Sequence, residues 1–214
     1  FSQISAFIYY YKKMSNTFSQ YIKMKRSYTK NVIFIIILFY ITVLIISPPR
    51  YFSFLLTIPS YPNNIEEAQL VFKLTTNRTK EDEAFFHKTN KSVTEAFSDI
   101  VPESRDTLIH MVTQPKVLWC LMALKFLFNR ARPYHVNPNI PYIYTDTGLT
   151  PSYPAGHACQ AYFLAHELGK NYPEKQEELD RIAEKCDQVR VLAGIHYPSD
   201  GQFAYRLFGR NYQR

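Results

Sequence analysis

The chain is poor in glycine, poor in cysteine and, over residues 1–65, empty of acidic side chains. Only six of its 214 residues are glycine, and none precedes Gly148. There is no Asn-Gly pair and no strong alternation of apolar and polar residues, so a hairpin-rich β architecture is not expected. The three cysteines, Cys120, Cys159 and Cys186, form no CxxC or other metal-ligand spacing, and their odd, sparse number gives no disulfide framework. They read as small buried apolar residues. The formal net charge of +7 is uneven: residues 1–65 hold seven Lys or Arg and no Asp or Glu, whereas residues 66–214 hold 18 of each sign. The excess sits beside a hydrophobic run rather than on the main domain, which favours a membrane-topology signal and argues against a nucleic-acid surface.

That run, VIFIIILFYITVLIIS at residues 32–47, carries no charge. With Asn31 it reaches the short end of the ~17–25 residues that span a bilayer. Lys23, Lys25, Arg26 and Lys30 precede it, Pro48 and Pro49 stop it, and no small-x-small cleavage site follows. The expectation is one N-terminal transmembrane helix with the basic side in the cytosol and the remainder of the chain outside it. The Asn77 and Asn90 sequons would then be accessible to glycosylation. The chain divides into a basic segment 1–31, an anchor and juxtamembrane segment 32–57, and a domain 58–214.

The domain reads as an all-α bundle. Helices are expected over 65–75, 79–89 (Thr79 capping, acids following), 92–100, 103–129 with an interruption at Pro115, 158–171, 173–193 and 199–209. A proline-rich loop fills 132–154. The apolar stretch 117–128 is shorter than a span and contains Lys125, so it reads as a core helix.

Three clusters carry chemistry. In KFLFNRARP, Lys125 and Arg132 stand seven residues apart, close to two helical turns, so both cations can share a face at a helix end. In PAGH, Gly156 permits close backbone approach at the start of a helix, where free N–H groups bind anions, and His157 can give or take a proton there. In RVLAGIHYPSD, Arg190 offers a planar fork for phosphate oxygens, His196 is a candidate nucleophile, and Asp200 can fix its tautomer. Each cluster alone is an ordinary basic helix end, capping turn or His–Asp pair. Together, and in this order, they describe one site.

In these motifs the chain resembles the type 2 phosphatidic acid phosphatase and vanadium haloperoxidase superfamily, whose motifs are Lys-x6-Arg-Pro, Pro-Ser-Gly-His and Ser-Arg-x5-His-x3-Asp. The match covers about residues 65–214 and looks closest to the acid-phosphatase-like branch. The resemblance implies a helical bundle of that type and metal-independent hydrolysis of phosphate monoesters, lipid or small-molecule. It implies that Lys125, Arg132 and Arg190 clamp the phosphate, with a backbone N–H from Gly156. His196 would form a phosphohistidine, His157 would serve the leaving group and then water, and Asp200 would orient His196. No cofactor is implied, except vanadate if the cage instead serves a haloperoxidase. Two positions depart from the pattern: Ala155 stands where the family has a phosphate-binding serine, and Val189 replaces the serine before the motif arginine. The first predicts weakened activity, or an anchored protein that binds without turnover; the second predicts a packing change.

Overall fold

The computed structural model describes residues 28–39 and 61–209. The chain forms two compact units, Phe1–Pro48 and Pro49–Arg214. In the first unit, helix α1 (Tyr28–Phe39) exposes nearly all its side chains. Among the described residues no single helix is long and apolar enough to cross a membrane. Residues 40–47 of the expected span lie outside the described residues.

The second unit is all helical among the described residues. Its elements are α2 (Asn64–Thr75), α3 (Lys80–Asn90), α4 (Thr94–Phe97), α5 (Arg105–Val112), α6 (Pro115–Phe128), α7 (Pro133–Val136), α8 (Gly156–Asn171), α9 (Gln176–Leu192) and α10 (Pro198–Phe208). Local chemistry explains the boundaries. Thr79 and Asp82 close a capping box on α3, each side chain accepting from the other's backbone N–H at 3.1 Å. Asn63 caps α2. The expected helix over 103–129 is two helices, because Pro115 cannot continue α5 but suits the first position of α6. The proline-rich loop contains the single turn α7 and a 3-10 turn at Asp146–Leu149.

Helices α8 and α9 pack extensively on each other, α10 packs on both, and α3 lies along α9. Leu164, Leu168, Leu179 and Phe97 are fully buried in this core. Each such side chain contributes roughly 1.5–3 kcal/mol of transfer free energy. Val189 is buried against Phe86, Ala193 and Ile195, as a packing residue should be. Helix α6 is a core helix on one side only. Val117, Leu121, Lys125 and Phe128 face inward, while Trp119 is 77% exposed and Leu127 40%. Cys120 lies on that outer side and is exposed, against the expectation of a buried thiol; Cys159 and Cys186 are buried.

Candidate active site

The first cluster sits differently from its sequence reading. Lys125 and Arg132 do not share a helix face, since α6 ends at Phe128 and Asn129 takes a left-handed conformation (φ 42°) that turns the chain. Arg132 is the residue before α7. The two cations nevertheless meet one strap of chain. Lys125 Nζ donates to the Pro151 carbonyl at 2.6 Å. Arg132 donates to the Thr150 and Thr147 carbonyls, both at 2.9 Å. Its Nη1 reaches the Ile195 carbonyl at 2.8 Å and His196 Nε2 at 3.2 Å.

The third cluster is assembled by the end of α9. Arg190 occupies its last turn, and Gly194, at φ +73°, reverses the chain so that Ile195 N–H bonds back to the Arg190 carbonyl at 3.2 Å. A side chain at 194 would clash, its Cβ lying 2.7 Å from Ile140 Cγ2. His196 follows, with Asp200 in the first turn of α10. A guanidinium can only donate, so His196 Nε2 accepts from Arg132 and the ring proton sits on Nδ1. From there it is donated to Asp200 Oδ2 at 3.0 Å. Oδ2 also accepts from Tyr197 N–H at 3.0 Å and from the Ser152 hydroxyl.

The second cluster opens α8. Helix assignment begins at Gly156, two residues earlier than expected, so His157 lies inside the first turn. Ala155 precedes it as an N-cap with no side-chain bond. A Cβ at Gly156 would touch Lys125 Cε and Leu121 Cδ2 at an ordinary 3.5 Å, so the protein's own packing does not demand glycine there. His157 Nε2 lies 2.9 Å from the Asn90 carbonyl and must donate to it, which leaves Nδ1 as the reactive nitrogen. Arg190 Nη2 meets the Thr89 carbonyl at 2.8 Å and the Thr89 hydroxyl at 3.0 Å. The carbonyl end of α3, outside all three motifs, therefore holds both His157 and Arg190. Asn90 is spent in this role and also accepts from the Thr145 hydroxyl at 2.8 Å, whereas the Asn77 sequon is exposed.

Sequence reasoning missed the hub that carries Asp200. Arg130 is buried and donates through Nη1 to Asp200 Oδ1 and Ser199 Oγ, and through Nη2 to Glu67 Oε2, each at 2.7 Å. Its Nε reaches Asn64 Oδ1 at 2.9 Å, and the guanidinium lies between the Tyr61 and Tyr197 rings, 4.0 and 3.8 Å from their centroids. Burial alone would raise the Asp200 pKa, but Arg130 and the His196 and Ser152 hydrogen bonds hold it well below the usual carboxylate range.

The cage is cationic and desolvated. Burial, then the charge of Arg132, pushes Lys125 down to about 7. Burial lowers Arg190 to about 10, and its buried Nε has no hydrogen-bond partner among the described residues. Burial and Arg132 together bring His196 to about 3 despite the pull of Asp200, so the pair is a neutral imidazole bonded to a carboxylate. Burial and the charge of Arg190 hold His157 well below its ordinary value, with smaller effects from His196 and Lys125. The shared strap, the Arg132–His196 contact and the joint hold of the α3 end on His157 and Arg190, with Lys125 Cε 3.5 Å from where a Cβ at Gly156 would stand, bring residues of all three motifs together.

One stability effect follows. An unfolded lysine keeps its proton up to about pH 10.5, and Lys125 only to about 7, so between those values the unfolded chain binds more protons and stability rises with pH. The cost of the buried charge is full below pH 7. Lys125→Met should therefore be about 1–2 kcal/mol more stable at pH 6, after loss of the Pro151 bond, and the gain should fade toward pH 10. Urea melts at the two pH values check this; an equal difference at both would contradict it.

Among the described residues no three His, Cys, Asp or Glu side chains come together as metal ligands. No protein-family model matches this sequence, and no curated protein matches it.

Proposed function

We propose that the chain hydrolyses phosphate monoesters, lipid or small-molecule, through a phosphohistidine on His196. On this reading its helices form the bundle of the type 2 phosphatidic acid phosphatase and haloperoxidase superfamily. An N-terminal helix within residues 32–47 anchors it, with the domain outside the cytosol. The observation that carries the reading is the His196 ring. Its proton is fixed toward Asp200, and its Nε2 lone pair faces the guanidinium of Arg132 among buried cations. Lys125 and Arg190 pair with no carboxylate among the described residues. On this reading they take phosphate oxygens, and the unpartnered Nε of Arg190 offers a donor that a phosphate would satisfy.

A phosphate oxygen replaces His196 as the partner of Arg132 Nη1. Nε2 then attacks phosphorus as the bond to the alcohol oxygen breaks. Asp200 stabilises the positive imidazole. The cations hold the equatorial oxygens where negative charge must be stabilised. The bound anion offsets the charge of Arg190 and Lys125 that depresses His157, so His157 takes a proton and delivers it from Nδ1 to the leaving oxygen. In the second step Nδ1 takes a proton from water, the water oxygen attacks phosphorus, and the P–N electron pair returns to Nε2.

The test is hydrolysis of simple phosphate monoesters with and without EDTA, coupled to trapping of labelled enzyme. Turnover should survive the chelator, and the label should be stable in alkali and labile in acid. Turnover that EDTA abolishes, or a label with the opposite stability, removes this mechanism. Ala155 favours a second reading, an anchored protein that binds phosphate esters without turnover, because a methyl stands at the α8 N-terminus where a hydroxyl would meet the ligand. Ala155→Ser distinguishes them. Raised turnover supports the enzyme, whereas binding without turnover in both proteins supports the binder.

A further inference from the structure

We propose that a hollow beside the cage, walled by Tyr134, Tyr142, Ile143, Thr145, Leu149 and Ile195, receives the alcohol part of the substrate, and that this alcohol carries one flat apolar ring. The proposal rests on the phosphate reading above and adds the substrate class to it.

Two chains of contact link the reacting residues to this hollow. On one flank, Ile195 lines it, the Ile195 carbonyl accepts from Arg132, and His196 is the next residue. On the other, Thr145 lines it and donates to the Asn90 side chain, while the Asn90 carbonyl holds His157. In-line displacement puts the leaving oxygen on the far side of phosphorus from His196, within reach of His157. On the proposed reading the group attached to that oxygen extends past Asn90 toward Thr145, which lines the hollow.

Its size and chemistry limit what enters. The volume is about 160 Å³. A cavity of roughly 150 Å³ takes one benzene-sized molecule, so a single ring fits and two acyl chains do not. Tyr134 and Tyr142 are stacked on each other, centroids 4.1 Å apart and planes 16° apart, and they form a preassembled flat wall. Three of the four hydroxyl protons in the lining are committed: Tyr134 Oη donates to the Gly148 carbonyl at 3.0 Å, Thr145 Oγ1 to Asn90 at 2.8 Å and Tyr144 Oη to Asp146 at 3.1 Å. A polyhydroxylated alcohol would find few free partners there, and burying its hydroxyls would cost more than a ring of carbon. Leu149 is 73% exposed and Tyr144 67%, so apolar and aromatic side chains sit uncovered at the mouth.

Binding of phosphonates to the full chain by calorimetry tests this without turnover. Benzylphosphonate should bind roughly 10–100-fold more tightly than methylphosphonate. Ile143→Trp, which fills the hollow, should erase that preference. Leu149→Ala, at an exposed position, should reduce the preference about 3-fold or more. Equal affinity for the two phosphonates in the unaltered chain overturns the hollow and leaves the phosphate cage standing. If neither phosphonate binds to folded protein, the cage reading fails and the hollow with it. Cyclohexylmethylphosphonate binding as tightly as benzylphosphonate overturns the flat ring, and octylphosphonate binding more tightly than benzylphosphonate overturns it in favour of a lipid chain.

Discussion

Arg130→Met is expected to cost about 3–5 kcal/mol of folding stability at pH 7, the scale for removing one partner from a buried ion-pair network. The reason is what the substitution leaves behind. Glu67 and Asp200 are 5% and 0% exposed, and both point at the Arg130 guanidinium. Without it two carboxylates face each other's field in a desolvated site, so one must take a proton or draw in water. The methionine stem would still fill the space between the Tyr61 and Tyr197 rings, so the loss reports charge rather than a cavity. Lysine cannot replace the arginine either, because four hydrogen bonds radiate from one planar group to α2 and α10. Urea unfolding measures the effect. A second substitution, Glu67→Gln in the Arg130→Met background, should recover part of the loss by removing one orphaned charge. A single-variant loss below about 1 kcal/mol would show that the network is solvated rather than buried.

Arg130 also marks the limit of what the sequence discloses. Helical periodicity, the capping signals at Thr79 and the proline at 115 sufficed for an all-α unit with most helices correctly located. The spacing of the motif residues pointed to Lys125, Arg132, His157, Arg190, His196 and Asp200, which the fold gathers. Nothing local distinguishes Arg130 from any other cation in a basic helix end, since its partners lie 63 to 70 residues away. Glu66 and Glu67 are both first-turn acids of α2, and only packing decides that Glu67 turns inward. The role of α3 was equally hidden. Its last carbonyls are backbone groups, and the sequence of a helix end does not say which side chains will complete it. Two expectations failed for a similar reason. Lys125 and Arg132 were placed on one face by counting residues along a continuous helix, but Asn129 ends it. Cys120 was assigned to the core by composition, but α6 buries only its Val117–Leu121–Lys125 side. The membrane span expected over residues 32–47 is described only as far as Phe39.

The largest functional effect should come from His196→Ala, which is expected to lower phosphate-ester turnover by on the order of 10⁴-fold or more, with the acid-labile label lost. On the proposed mechanism only one nitrogen of the ring can attack. Nδ1 is committed to Asp200, and Nε2 alone presents a lone pair to the cage. The low pKa keeps that lone pair unprotonated across the neutral range. Asp200→Asn should cost on the order of 10³–10⁴-fold by a different route. Its amide N–H₂ can donate to Nδ1, which drives the proton onto Nε2 and blocks attack without removing the ring. His157→Ala should spare esters with good leaving groups more than alkyl esters, because only poor leaving groups need the proton. The His196 substitution also carries a stability signature that separates it from misfolding. An unfolded histidine binds a proton below about pH 6.5 and folded His196 only below about 3, so in that window the unfolded chain holds more protons and acid favours unfolding. His196→Ala removes that liability and should lose less stability between pH 6.5 and 4 than the unaltered chain. A His196→Ala protein that unfolds normally yet retains more than about 1% of turnover would place the nucleophile elsewhere.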